Sequence, residues 1–405
     1  MTGRQWQSLN IGKLGRVVTG STPRTGDDAA WGDLIDFITP TEMSYSNRET
    51  SECRKLSASG MEALQRRIIP AGSTLFTCIG FSTGKVAQIF RPAITNQQIN
   101  ALIPNPSVVD ERFAYYLLRY KSADIRAIAN GSTTPIVNKS MFQAFDVLLP
   151  FSEEQAAIAD VLGALDDKIA VNERIAATAR SLIHVKGFQV IRGLSGDVSP
   201  LGEYVDITKG LSYRSADLAP GGGYLVTLKC INRTGVFQQR GLKPFSGTAK
   251  LSQMVKHGDV VVAQTDLTQQ AEVLGRSTRI VSLNGQDRLI ASLDLAVVRP
   301  KTLLTREYLD VLFGTREFRE HVLSYANGTT VLHLNSRAIP EFTFPVPDEA
   351  IVAAVTQVTR SLFDVAVQAE REAASLSALR DTLLPQLMSG RLRVKDAEKI
   401  VEDHT

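Results

Sequence analysis

Residues 151–192 read FSEEQAAIADVLGALDDKIAVNERIAATARSLIHVKGFQVIR. Within them Ile158, Leu162, Leu165, Ile169, Asn172, Ala176, Ala179 and Ile183 recur at spacings of four and three. That is a heptad seam, apolar except at Asn172, with charge on the other faces. Pro150 precedes it, and Ser152 with Gln155 fits a capping box. The spacing predicts one helix, roughly 60 Å long at 1.5 Å per residue.

Residues 345–392 carry a second such stretch. Val355, Leu362, Ala366, Ala369, Ala373, Leu376 and Leu383 continue a similar seam, with Pro345 and Pro347 ahead of it. Two long seamed helices can bury their stripes against each other. The plainer alternative is a surface helix in an ordinary domain, although helices this long are uncommon in globular proteins.

At 405 residues the chain is long enough for two or three domains. The net charge of +3 permits nucleic-acid binding without arguing for it, so any basic surface must come from local clustering. Cys53, Cys78 and Cys230 are far apart and form no CxxC, which points to a reducing compartment rather than a disulfide framework. No uninterrupted apolar run approaches a membrane span of about 18 residues. The N-terminus lacks a signal-peptide core, so the expectation is a soluble cytoplasmic protein.

Working outward from the helices, residues 1–150 and 194–347 both read as mixed α/β domains. Leu34–Ile38, Thr74–Ile79, Asp259–Ala263 and Leu293–Val298 have strand character, and Asp110–Tyr120 and Arg306–Phe313 have helical spacing. The two halves also match each other. Leu14-Gly15 recurs as Leu201-Gly202, 187 positions on. ANGST at 129–133 recurs as ANGTT at 326–330. Asn138, Phe145, Pro150, Leu165, Glu173 and Leu182 fall on Asn335, Phe342, Pro347, Leu362, Glu370 and Leu379, all 197 positions apart. The chain is a tandem duplication of a globular domain followed by a long helix. The expected fold is therefore α+β (mixed α/β). Domains at 1–150 and 194–347 alternate with spacer helices at 151–193 and 348–391, and a polar tail follows at 392–405. Antiparallel packing of the helices would give an approximate two-fold axis, and duplex DNA has a two-fold axis too.

Catalytic constellations are missing from the sequence. The stretch GFSTGKV at 80–86 has the wrong spacing for a phosphate-binding loop, and the five histidines are scattered. GxGxxG and HExxH do not occur, and no nucleophile elbow is read, although GFSTG at 80–84 has the letters of GxSxG. What remains is polar and planar. Ser21, Thr22 and Arg24 share a turn, Asn96, Gln97 and Gln98 are adjacent, and Lys85 follows a glycine-rich turn. Ser132 and Thr133 match the loop holding Thr329. Lys209, Tyr213 and Arg214 lie together, and Gln264, Thr265 and Arg276 follow a strand candidate. Amides pair bidentately with adenine and arginine with guanine, while hydroxyls suit phosphates and base edges. These residues are the candidate DNA contacts. Ile158, Leu162, Leu165, Ile169, Leu362 and Leu376 are the candidate spacer and partner-docking residues.

The stretch LLPFSEEQAAIA at 148–159, running into LGALDDKIAVNER at 162–174, resembles the central conserved helix of the specificity subunits of type I restriction-modification systems. LLPQLMSG at 383–390 resembles the end of their distal conserved helix, and GSTP at 20–23, Trp31 and ITPTEM at 38–43 resemble the opening of a target-recognition domain. The second half departs from that pattern: PVPDEAI lacks the Glu-Gln pair, and KGLSYR replaces GSTP. The resemblance implies a non-catalytic subunit that reads a split, asymmetric sequence in double-stranded DNA. It implies two methyltransferase subunits docked on the helix pair, with restriction (motor-nuclease) subunits as further partners. S-adenosylmethionine would sit on the methyltransferase, with no cofactor on this chain. Two other readings stay open: a coiled-coil adaptor that binds no DNA, and a stand-alone nucleic-acid enzyme with dispersed active-site residues.

Overall fold

A computed structural model of the chain describes residues 6–24, 26–129, 135–268, 270–282, 288–329 and 331–404. The chain divides into two compact units. Unit 1 is Met1–Val171 with Glu372–Thr405, and unit 2 is Asn172–Arg371. The division falls inside both long helices, not at their ends.

The central helix runs from Ser152 to Ile191 and the distal helix from Glu349 to Met388, within a few residues of the predicted limits. All eight residues of the first seam are buried. In unit 1, Ile158–Ile169 share one core with Ala373–Met388. In unit 2, Ala176 and Ala179 meet Ala366 and Ala369, and Ile183 shares a core with Phe363 and Val367. Rising numbers on one helix meet falling numbers on the other, so the pairing is antiparallel in each unit. The alanines let the backbones approach closely, and each larger seam side chain contributes about 1.5–3 kcal/mol by burial.

Three details differ from the sequence reading. Leu362 is half-buried and Phe363 takes the buried place. Between Leu376 and Leu383 the seam position is filled by Arg380, which is 1% exposed. Gln155 differs from the expected capping box as well, because the helix already includes Ser152. Its carboxamide donates to the Pro150 carbonyl (2.9 Å) and accepts from the Asp110 N–H (3.0 Å), tying the helix start to the segment before the helix Glu111–Ala127.

The globular parts share one topology. Unit 1 has an antiparallel sheet in the order Gly15–Thr19, Ile99–Pro104, Thr74–Thr77, Val86–Gln88. Unit 2 repeats it as Val205–Lys209, Leu295–Pro300, Val260–Ala263, Ser277–Arg279. In each unit a second four-stranded sheet contains one parallel pair: Ile35–Ile38 with Ala93–Thr95, and Gly223–Val226 with Leu289–Ala291. Each also has a two-stranded ribbon leading into its helix, Gln7–Asn10 with Asp146–Leu149 and Val198–Pro200 with Thr343–Pro345. The strands Val260–Ala263 and Thr74–Thr77 are buried throughout, which explains why they read as apolar runs rather than alternating ones. Each long helix ends just before a left-handed glycine, Gly193 (φ 85°) and Gly390 (φ 69°), again 197 positions apart.

After Gly390 the stretch read as a polar tail contains a helix, Val394–Glu402. Its Ala397 is fully buried, and Val394, Ile400 and Val401 pack on the unit 1 core. The distal helix includes an 18-residue window of mean hydropathy 1.4, enough by length and composition to cross a membrane. Within unit 2 its Val352, Val355, Phe363 and Val367 are buried in the core, so core packing accounts for that apolar character.

Candidate nucleic-acid interface

In unit 1 the candidate residues gather on the loops joining the two sheets. The chain turns after Thr19, where Ser21 N–H donates to the Thr95 carbonyl (2.8 Å). This places Thr22 beside Gln97, and the Thr22 hydroxyl donates to the Gln97 carboxamide (2.7 Å). Both side chains are exposed, as is Arg24. Gly20 makes the approach possible: a Cβ there would lie 2.2 Å from the Thr95 and Asn96 carbonyl oxygens. Asn96 is a correction. It is nearly buried, and its side chain holds Gln98 through two bonds of 3.1 Å, so it shapes the turn and offers no free edge. Lys85 donates to the Pro40 carbonyl (2.8 Å), and its ammonium lies 5.8 Å from the Tyr45 ring centroid. Ser132 and Thr133 lie outside the described residues.

Beside Lys85, the turn from Cys78 to Lys85 is fixed at many points. Gly80 (φ 79°) and Gly84 (φ 98°) adopt the left-handed backbone it requires. Thr83 N–H and hydroxyl both donate to the Gly80 carbonyl (3.1 and 2.7 Å), and the Thr77 hydroxyl donates to Ser82. Tyr45 donates to the Phe81 carbonyl (3.2 Å). The turn holds Phe81 out at 86% exposure. Sequence reading passed over both aromatics.

In unit 2, Tyr213 and Thr265 line a groove of about 700 Å³. Lys229, Arg240 and Lys243 line the same groove, and none has a carboxylate within ion-pair distance among the described residues. A fourth cation, Arg233, pairs with Glu272 (2.8 Å). The groove therefore joins three unpaired cations and a tyrosine ring to the carboxylates Asp266, Glu272 and Asp294, and its cations suit phosphates while the ring suits planar bases. Lys229, Arg240 and Lys243 were missed because they lie on separate turns with no period. Thr265 donates to Asp294 (3.0 Å). The Gln264 backbone bonds Asp294 and Leu334, and Arg276 donates to the Glu272 carbonyl (2.8 Å). Lys209, at the end of the strand Val205–Lys209, and Arg214, on the loop that follows, are exposed, and Thr329 is exposed on another loop.

One carboxylate organises this end of the groove. Asp266 is 1% exposed. It accepts from the N–H groups of Thr268 (2.7 Å), Val273 (2.6 Å) and Leu274 (3.1 Å) and from the Thr268 hydroxyl (2.8 Å). Burial alone would raise its pKa, but these donors outweigh burial and hold it below the ordinary value of 3.8. The loop it anchors presents Leu267 at 73% exposure, also lining the groove.

The spacer residues Ile158, Leu162, Leu165, Ile169 and Leu376 are buried in the core of unit 1. They hold the chain's own helices together and are not available at the surface. On the outer face of unit 2 stand Ile175, Leu182 and Val185 of the central helix, and Val358 and Val365 of the distal helix. These five are 37–51% exposed. Among the described residues no cluster of three metal-ligating side chains occurs, and all three cysteines are free.

Residues 3–179 match the family model of the type I restriction modification DNA specificity domain. Over 97% of its length the chain is 24% identical to the type I restriction enzyme MjaIX specificity subunit of Methanocaldococcus jannaschii, covering 95% of that protein. Over 37% of its length it is 30% identical to the HindI specificity subunit of Haemophilus influenzae, covering 33% of it. The crystal structure of a type I restriction-modification S subunit from M. genitalium has the same fold. Its TM-score is 0.58 at 16% identity, with 96% of this chain and 97% of that one covered.

Proposed function

We infer that this chain belongs to the type I restriction-modification specificity family and is the sequence-specific DNA-recognition subunit of such a complex. The observation that carries the reading is the duplication itself. Two copies of one sheet topology carry exposed polar, aromatic and basic loops, and each copy ends in one helix of an antiparallel pair. A protein built this way offers two similar surfaces with different side chains, which suits two different half-sites in one target.

Each unit reads one half of a bipartite target, and the helix pair sets the gap between halves. The chain catalyses nothing itself; methyl transfer from S-adenosylmethionine belongs to a partner subunit. Two methyltransferase subunits dock on the outer faces of the helices. The exposed stripe of Ile175, Leu182 and Val185 supports this, since its spacings of seven and three are those of a second seam awaiting another helix. The complex works in the cytoplasm, where the three thiols stay reduced.

The test is selection from a random-sequence duplex pool, using the chain co-purified with its methyltransferase partner. The expected product is a split motif with a fixed gap. A pool that emerges without any enriched sequence would sink the reading.

A further inference from the structure

We propose that Phe81 and Leu267 are a matched pair of apolar wedges, one per unit, that press between base pairs of each half-site and unstack them. The inference rests on the DNA-recognition reading above.

The two side chains occupy the same place in the duplicated fold. In unit 1 the turn joins Thr74–Thr77 to Val86–Gln88; in unit 2 it joins Val260–Ala263 to Ser277–Arg279. These are the same two positions of the same sheet. Each turn is pinned by the same later segment. Ile79 bridges Ile136, and Thr265 pairs with His333, 197 positions beyond Ile136. Phe81 lies two residues past the first bridged residue, and Leu267 two past the second. The register thus aligns them even though the turns differ in length and share no sequence.

Both are presented against the usual preference of large apolar groups for the interior. A loose loop would fold such a side chain inward. These turns do not, because their backbones are committed. Unit 1 uses the Thr77, Thr83 and Tyr45 hydroxyls, and unit 2 uses the Asp266 carboxylate. Cations unpaired among the described residues stand beside both. Leu267 shares its groove with Lys229, Arg240 and Lys243, and Phe81 stands beside Tyr45 and Lys85. An apolar tip held out on a hydrogen-bonded turn and flanked by cations is the arrangement that enters a base step while the cations hold the phosphates.

The experiment uses the complex with the methyltransferase partner and the duplex recovered by selection, with 2-aminopurine substituted in turn at each position. The expected result is a rise in emission at one step in each half-site. Phe81→Ala abolishes the rise in one half only, Leu267→Ala abolishes it in the other only, and each weakens binding about tenfold, the scale of one stacked base. Both side chains are exposed, so the urea midpoints of the variants should equal the parent's. If the parent binds its selected duplex with no step showing raised emission, the wedges are wrong and DNA recognition stands. The same holds if the variants weaken binding without changing emission, as thymine-methyl contacts would. If selection yields no sequence, DNA recognition itself fails.

Discussion

The helix pair is held by different chemistry in its two halves. In unit 1 the seam contains a buried ionic group: Arg380 donates to Asp166 (2.5 Å), and Tyr116 donates to the other oxygen of Asp166 (2.6 Å). All three are buried. Burial, then the neighbouring carboxylate, raises the Tyr116 phenol far above its ordinary range, so it stays a donor. The 197-residue repeat places Phe363 at the position of Asp166 and Ile183 at that of Arg380. Matching the capped starts of Glu111–Ala127 and Arg306–Phe313 places Val311 at that of Tyr116. Phe363, Ile183 and Val311 share one apolar core. Unit 2 carries its buried guanidinium elsewhere: Arg279 lies 3.6 Å over the Phe363 ring and reaches Glu307 at 3.4 Å. One fold thus accepts either solution at the same seam positions. The ionic one demands its partners, whereas the apolar one demands only volume.

The sharpest way to break the comparison is Arg380→Met. It leaves Asp166 buried and unpaired, and the expected loss is about 3–5 kcal/mol in urea unfolding. A loss below 1 kcal/mol would show that the ionic group is no more demanding than its apolar counterpart.

A second test contrasts the two turns. The unit 2 turn hangs on a carboxylate, whereas the unit 1 turn hangs on hydroxyls. Asp266→Asn should cost about 2 kcal/mol at neutral pH, the scale of bonds to a charged acceptor. Because folding depresses the Asp266 pKa, its contribution is complete above the ordinary value of 3.8 and is lost as pH falls through the folded value. Urea midpoints of parent and variant should therefore converge below that pH. Lasting separation in acid would remove the carboxylate from its role.

The smallest effect is expected from copying unit 2 into unit 1. Asp166→Phe, Arg380→Ile and Tyr116→Val together should leave stability within about 1 kcal/mol of the parent, since a buried ion pair and an apolar group of similar volume are nearly equivalent. A large loss would mean that the ionic group was chosen for shape, not for want of an alternative.

The apolar seam was legible because burial and period coincide: every residue from Ile158 to Ile183 that fitted the heptad is buried. Arg380 was not legible. A charged residue interrupts an apolar count, and only the fold supplies the Asp166 and Tyr116 that make its burial affordable. The duplication was visible wherever backbone-determining residues recur, as at Asn138 and Asn335, both of which accept bonds in turns. Of the candidate interface, the sequence showed polar loops but not which side chains are exposed. Thr22 and Gln97 do stand exposed together, but Asn96 proved structural. Lys229, Arg240 and Lys243 form a groove that no spacing announces, and Phe81 and Leu267 align through strand register, not through identity.

Tyr116 belongs to the first globular domain, yet the carboxylate it satisfies belongs to the helix that follows. A recombinant in which residues 1–150 are exchanged for another domain keeps Asp166 and Arg380 but meets them with whatever the newcomer carries at that site. A domain exchanged at that site must therefore bring its own donor to Asp166, or leave a buried carboxylate with one bond fewer.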